Sequence, residues 1–317
     1  MNLSTLVLGI FTIVQLNCEN LFDCKHDSLK NDYEFLPTSY RHWNPHKYWC
    51  KMNHLSQSLV SCGDWKGSWS LPDLVALCEV ENDSVMRDLT LRAPLRTLRY
   101  QYVMTQSPDF RGIDVALLYS PFTFSLLQSR SVRVTPIKGM RPTRDILYVS
   151  GRVFNTDTLH IMVVHAPSRM GGEHFSRAFR CEVAKKINEI TDSIRSTSVN
   201  PNIAILGDFN DYVGNLSLEM LSNNGLFDIS ANAKGLNGTK GTYKYKGEWD
   251  SLDHIFVSEP LRKYWLDCFI NDADFLLCDD EKYGGKQPFR CYVGAKYHEG
   301  YSDHLPLVAH FEFKWRR

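Results

Sequence analysis

The chain holds 317 residues, and 36 Lys and Arg are balanced by 36 Asp and Glu, for a formal net charge of zero. Apolar residues make up 43% and charged residues 23%, a globular composition that excludes wholesale disorder. The balance also excludes attachment to DNA or anionic lipid by bulk charge and leaves room only for a local basic cleft.

Length allows about two domains at roughly 150 residues each, but no linker, repeat or low-complexity tract divides the sequence. The expectation is one domain over residues 1–317. The nine cysteines form no CxxC pair, which argues against a structural zinc site, and their odd number argues against a full disulfide framework. They read as reduced, mostly buried thiols. Leu3 to Leu16 is largely apolar, but no Lys or Arg precedes it and no small-residue cleavage site follows. The run is shorter than the ~20 residues of a membrane span, so no transmembrane segment is expected. A longer precursor could still carry an export signal, so the sequence fixes neither a cytoplasmic nor an exported location. Nor does it set an oligomeric state.

In chain order, strands are expected at Gly9–Leu16, Leu74–Cys78, Asp114–Tyr119, Ile146–Phe154, Leu159–His165, Ile203–Gly207, Asp253–Val257 and Leu307–Phe313. Several are continuous and β-branched, as strands covered on both faces are. Asn44-Pro45 reads as a helix cap and first helical residue, followed by Tyr48, Met52, Leu55 and Leu59 at helical spacing. A second helix carries Phe175, Phe179, Val183, Ile187, Ile190 and Ile194 on one stripe, with Lys185, Lys186 and Glu189 opposite. The class is α/β. Asn271 to Tyr301, rich in Gly, Lys and Asp, reads as an ordered surface loop near a site.

Polar residues gather where the strands end. These are Asn17 to Asn20, Glu79 to Glu81, His165 to Arg169, Gly207 to Asp211, and Tyr301 to His304 before the last strand. Ligands of α/β proteins collect at strand ends, so one shared site is expected. Glu79, Asp208, Asp303, Asn17 and Asn210 offer hard oxygens without soft ligands, a set suited to Mg²⁺, Mn²⁺ or Ca²⁺ rather than zinc. His165 and His304 can donate to a phosphoryl oxygen or move a proton. Such a combination fits phosphate-ester hydrolysis.

Blander readings compete. A lone Asp or Asn is more often a turn residue than a ligand. Asp208-Phe209-Asn210 begins like a calcium loop, but Tyr212 and Val213 occupy positions that need a ligand and a glycine. Ser302-Asp303-His304 holds the three residue types of a hydrolase triad, yet adjacent residues cannot supply triad geometry. Glu81 and His254 are expected off the site, because neighbours in a strand alternate faces. Arg169, Gly171 and Gly172 fit either phosphate binding or a loop leading into the long helix.

Taken in order, Gln15 to Asp23, Pro72 to Val80, Arg111 to Tyr119, His165 to Arg169, Gly207 to Asp211, Leu252 to Ile255 and Ser302 to Pro306 resemble the endonuclease/exonuclease/phosphatase superfamily, with its deoxyribonuclease-I-like fold. Each motif alone is weak, but seven in the family's order are specific. The resemblance implies a four-layer α/β sandwich of two packed mixed, mostly antiparallel sheets flanked by helices. It implies Glu79 as principal metal ligand, with Asn17 and Asp303 close to the cation, which would be Mg²⁺ or Mn²⁺. Asp208, helped by Asn210, would orient or deprotonate the attacking water. His165 and His304 would hold the scissile phosphate, and Asp253 would fix the tautomer of His304. Cys78 stands where many members carry Gln, and His165 where some carry Tyr, which sets this chain apart from the abasic-site repair type. Asn17 to Asp23 with Arg111 to Val115 looks most like a bacterial subgroup, many of whose members begin with an export signal.

The implied partner is a phosphate-ester substrate, with nucleic acid among the candidates. A phosphodiesterase or nuclease would use Arg111, Arg169, Arg177 and the segment Lys282 to Arg290 along its groove. A sugar-phosphate or phospholipid-headgroup hydrolase would need fewer cations. A binding module that had lost catalysis should lack one of Glu79, Asp208, Asn210 or His304, and all are present.

Overall fold

The computed structural model describes residues 9–154 and 157–313, so the start of the apolar Leu3–Leu16 run lies outside the described residues. Twelve strands build two large sheets: β1 Ile10–Leu21, β2 Leu74–Val80, β3 Gln101–Met104, β4 Asp114–Tyr119, β5 Phe124–Val132, β6 Ile146–Val153, β7 Thr158–His165, β8 Asn202–Asp208, β9 Leu226–Asp228, β10 Asp253–Ser258, β11 Trp265–Ile270 and β12 Leu307–Glu312. Four helices cover them: α1 Pro45–Ser61, α2 Asp83–Leu91, α3 Glu173–Thr197 and α4 Leu216–Asn223.

Sheet one runs β11-β12-β1-β2-β4-β3 and sheet two runs β9-β10-β8-β7-β6-β5. Each has one parallel pair at its centre, β1 with β2 and β7 with β8, and is antiparallel elsewhere. The two sheets therefore repeat one order of strand senses, although the sequence shows no repeat. The central strands are apolar on both faces because both faces are covered. Phe11, Ile13 and Ala76 of sheet one share the inter-sheet core with Val163, Leu206 and Ile255 of sheet two. On the outer face of sheet one, Val14 and Leu77 pack against Met52, Leu55 and Leu59 of α1 and Met86 and Leu89 of α2. On the outer face of sheet two, Met162 and Ile205 pack against Val183, Ile187 and Ile194 of α3 and Leu221 of α4. The result is a helix–sheet–sheet–helix sandwich.

The expected helix starts are built as drawn: Asn44 caps α1 by accepting the Lys47 amide at 3.1 Å, with Pro45 as first helical residue. In α3 the stripe is shorter than expected, because Phe175 is exposed and the buried face begins at Ser176 and Arg180. Three expected strands end too early in the reading. β1 continues through Asn17 to Leu21, β2 through Glu79 to Val80, and β8 through Asp208, so these site residues lie in strands rather than beyond them. Nor is Asn271–Tyr301 a plain loop. It holds two small hairpins, Leu277–Asp279 with Lys286–Pro288 and Tyr292–Val293 with Lys296–Tyr297.

Chain direction now decides where chemistry can occur. β1, β2, β7 and β8 end at one edge of the sandwich, where β10 begins and β12 is entered. Asp208 pairs in register with His165 on one side and Asp253 on the other. Gly207 allows β7 and β8 to approach, since a Cβ there would stand 1.8 Å from the Val164 carbonyl oxygen.

Candidate active site

Sheet one supplies its groups through an irregularity. The β1–β2 register runs to Asn17 against Cys78 and resumes at Leu21 against Val80, so three residues of β1 oppose Glu79 alone. Glu19, Asn20 and Glu79 have φ of 51°, 58° and 63°. Left-handed backbone is tolerable for Asn but costly for Glu, and such outliers persist where surrounding bonds hold them. Here the Asn20 amide donates to Glu79 Oε2 at 2.8 Å and the Glu19 amide donates to Asn17 Oδ1 at 2.9 Å. The bulge thereby aims Glu79 into the cleft. Arg111 Nη1 stands 3.6 Å from Glu79 Oε1, and the same guanidinium donates to Asn20 Oδ1.

Sheet two brings the remaining groups. Asp208 Oδ2 accepts the Asn17 amide nitrogen at 2.9 Å, which joins the two sheets at the site. Its Oδ1 accepts the Asn210 backbone amide at 2.9 Å. The Asn210 side chain donates to the Ala166 carbonyl at 3.1 Å, and buried Arg144 donates to the same oxygen at 2.7 Å. His165 Nε2 lies 3.6 Å from Asp208 Oδ2 and 3.9 Å from Glu79 Oε1. His304 Nε2 lies 4.0 Å from Asp208 Oδ2, while its Nδ1 donates to Asp253 Oδ2 at 2.7 Å. Thr242 Oγ1 donates to that Asp253 oxygen at 2.6 Å, and Gln15 donates to the other at 3.3 Å.

These buried groups are poised differently. Burial pushes the Asp208 carboxyl up to about 7, the neighbouring Asp253 adds to the rise, and His304 opposes it. Burial would pull His304 down, but the charge and hydrogen bond of Asp253 override it and raise the imidazole to about 10. The same pairing holds Asp253 below the usual carboxylate range against the effect of its own burial. His165 goes the other way. Burial, with Arg144 and Arg111 close by, holds it well below 6.5 and neutral near pH 7. Its Nδ1 is buried without a hydrogen-bond partner. Nε2 instead faces the carboxylates of Asp208 and Glu79, whose negative charge favours the proton on that nitrogen.

All ten candidate site residues meet here. Asn17, Glu79, Arg111, His165, Arg169, Asp208, Asn210, Asp303 and His304 line one cleft of ≈ 480 Å³, and Asp253 stands behind His304. Arg169 is committed elsewhere as well, with its guanidinium 4.5 Å from the Tyr212 ring centroid and 3.6 Å from Asp211. Arg177 pairs with Glu173, and Lys286 with Asp279, both on exposed surface. Glu81 and His254 stay out of the cleft: Glu81 accepts the Asp23 amide, and His254 bridges Asp228 and the Asp211 carbonyl. From the sequence Asn20 is placed at the shared strand end without a role, and no signal assigns Thr242 or three tyrosines of the wall, Tyr212, Tyr243 and Tyr245, to the site. Tyr243 lies 4.9 Å from the His304 ring, and its signal was only a Gly-Thr-Tyr turn ahead of a short hairpin. Among the described residues, no three His, Cys, Asp or Glu side chains form a ready-made ion cage, and no helix is long and apolar enough to cross a membrane.

The fold defines a class, the α/β sandwich of two packed mixed sheets flanked by helices. The chain matches the endonuclease/exonuclease/phosphatase family over residues 12–313 and belongs to it. No curated protein matches the sequence. Among solved structures, an endonuclease/exonuclease/phosphatase family protein of Bacteroides thetaiotaomicron shares the fold at 15% identity and TM-score 0.62, covering 97% of this chain and 99% of that one. A mannosyl-6-phosphatase of the same organism aligns at 16% identity and TM-score 0.60, covering 96% and 100%. The human Nocturnin catalytic domain, with a bound sulfate, aligns at 17% identity and TM-score 0.57, covering 96% and 95%.

Proposed function

We propose that this chain is a divalent-metal-dependent phosphoric ester hydrolase that directs water onto phosphorus. The reading is carried by one observation: Asp208, Glu79 and the two imidazoles converge within 4.0 Å, with the His304–Asp253 pair behind them. Family membership supports hydrolysis of phosphate esters in general.

The donor set supports a hard ion. Glu79 offers a carboxylate aimed into the cleft, and Asn17 and Asp303 add amide and carboxylate oxygens on the same wall. Mg²⁺ is commonly held by one or two carboxylates, with waters and substrate phosphate completing its shell, so the lack of a closed cage fits Mg²⁺ or Mn²⁺ better than Ca²⁺ or zinc. A bound divalent ion would stabilise negative charge developing on the phosphate. Asp208 acts as base: burial brings it near neutrality, and the Asn17 and Asn210 amides fix its orientation. His304, kept as imidazolium by Asp253, donates to a phosphoryl oxygen. Neutral His165 donates a second hydrogen bond through Nε2. Both donors strengthen as charge builds in the transition state.

Phosphodiesters are the first substrate class under this reading, because three tyrosines line the cleft and one of them, Tyr245, is exposed where a base could stack. A compact ester, such as a sugar phosphate or phospholipid headgroup, is the second. The pairing of Arg177 and Lys286 favours it, since a polymer groove would leave such cations free. The test is turnover of a chromogenic phosphodiester, a short oligonucleotide, a phospholipid headgroup ester and a sugar phosphate, with Mg²⁺ or EDTA. Wild type should turn over at least one of them only with metal, and Glu79→Gln should lose the metal stimulation. Turnover insensitive to both would overturn the reading, and inactivity across the panel would favour a binding module on this fold.

A further inference from the structure

Behind the cleft, α1 turns Lys51 inward with 1% exposure. Its ammonium donates to Cys291 Sγ at 3.1 Å and to the Tyr301 carbonyl at 3.4 Å. One turn on, His54 Nδ1 donates to the Gly300 carbonyl at 3.0 Å, and its ring stacks on Tyr301 at 4.4 Å. Two turns on, Gln57 Oε1 accepts the Tyr301 hydroxyl at 2.9 Å. Three positions on one side of a helix therefore grip Gly300–Tyr301, directly ahead of Asp303 and His304. The chain is tightly seated there: a Cβ on Gly300 would stand 2.2 Å from the Phe289 carbonyl oxygen.

From the opposite side, Glu19 accepts the Cys291 and Tyr292 amides at 2.7 and 3.1 Å. Burial pushes the Glu19 carboxyl up to about 7, Asp303 adds to the rise and Lys51 opposes it. Burying an ammonium is costly, and Lys51 meets only a thiol sulfur and a carbonyl oxygen rather than a carboxylate. An apolar residue would pack at this position as Met52 and Leu55 do beside it, so stability alone gives a poor reason for lysine here.

We propose that Lys51 is a positioning residue, the centre of a clamp by which α1 and Glu19 fix Tyr301–His304 so that Asp303 and His304 face the cleft. This rests on the phosphoester-hydrolase reading, and its test separates the two. Lys51→Met and the Glu19→Gln/Lys51→Met double variant, which removes both ionisable groups of the clamp, are compared with wild type by kcat, KM and hydrogen exchange. Both variants should lose about 10–100-fold in kcat, the range for residues that orient a catalytic group, with KM within about twofold. The His304 and Leu305 amides should exchange faster while protection in the two sheets is unchanged. Wild-type kcat and wild-type exchange in the double variant would overturn the proposal, even if Lys51→Met alone misfolds. If wild type turns over no ester, the hydrolase reading fails, and unchanged or faster exchange at those amides decides the role of Lys51 by itself.

Discussion

Replacing Asp253 with Asn isolates the charge that governs His304. The variant keeps the shape of the side chain and an oxygen able to accept from Thr242 and His304, but removes the negative charge 2.7 Å from the imidazole. In wild type that charge outweighs burial and lifts His304 from 6.5 to about 10. At ~1.4 kcal/mol per pH unit, the climb represents several kcal/mol of preference for imidazolium. With burial then less opposed, His304 in the variant should titrate near or below its ordinary value. Two outcomes follow. The kcat/KM near neutral pH should fall about 10²–10³-fold, as when one preorganised donor is lost. The alkaline limb of the pH–rate profile should move down from near 10 to the ordinary imidazole value of 6.5 or below. Stability should follow the same groups. His304 is raised on folding, so its contribution is complete below 6.5 and is lost as pH climbs through about 10. Asp253 is lowered, so its share is present above 3.8 and is lost only on acidification below that value. The gap in urea-unfolding free energy between wild type and variant should therefore be several kcal/mol near pH 6 and narrow toward pH ~10. An alkaline limb that stays in place, or a gap that does not narrow, would refute the role given to this pair.

Asp208→Asn should cost on the order of 10³-fold in kcat and abolish the acidic limb expected for wild type near pH 7, to which burial raises its carboxyl; a surviving limb in the pH–rate profile would assign it to another group. Gly207→Ala should destabilise by ~3 kcal/mol or more in urea unfolding, because the new methyl would stand 1.8 Å from backbone in the neighbouring strand. Lys286→Ala should leave the urea-unfolding midpoint where wild type has it, since both members of its pair with Asp279 are exposed; a clear fall in the midpoint would contradict this.

The central strands were legible because burial on both faces leaves continuous apolar runs, as in Ile203–Leu206 and Val115–Leu118. The edge strands were not. Phe124–Val132 is mostly exposed, and its serines and arginine break any apolar pattern. Trp265–Ile270 is interrupted by Asp267, which bonds outward to His310 and Trp65. Helix α2 had a readable start, since Asn82 caps it through the Val85 amide and Val85, Met86 and Leu89 face inward. Its short length hid it among loops. At the site, the identity of Glu79, Asp208 and His304 could be read from motif order. The left-handed backbone at Glu19 and Glu79 could not, because Glu carries no local signal for that conformation and the bulge is imposed by register between β1 and β2. Thr242 and Lys51 escaped for a related reason. Lys51 meets Tyr301, 250 residues along the chain, and Thr242 reaches Asp253 across the turn of a short hairpin; nothing in either residue's own neighbourhood marks it.

The central claim is that solvent water, activated beside Asp208, attacks phosphorus. Hydrolysis of the most reactive ester of the panel in ¹⁸O-labelled water with Mg²⁺ tests it directly. One labelled oxygen is expected in the phosphate-bearing product and none in the leaving alcohol, at a rate that collapses in Asp208→Asn. Label in the alcohol, or undiminished incorporation in the variant, would contradict it.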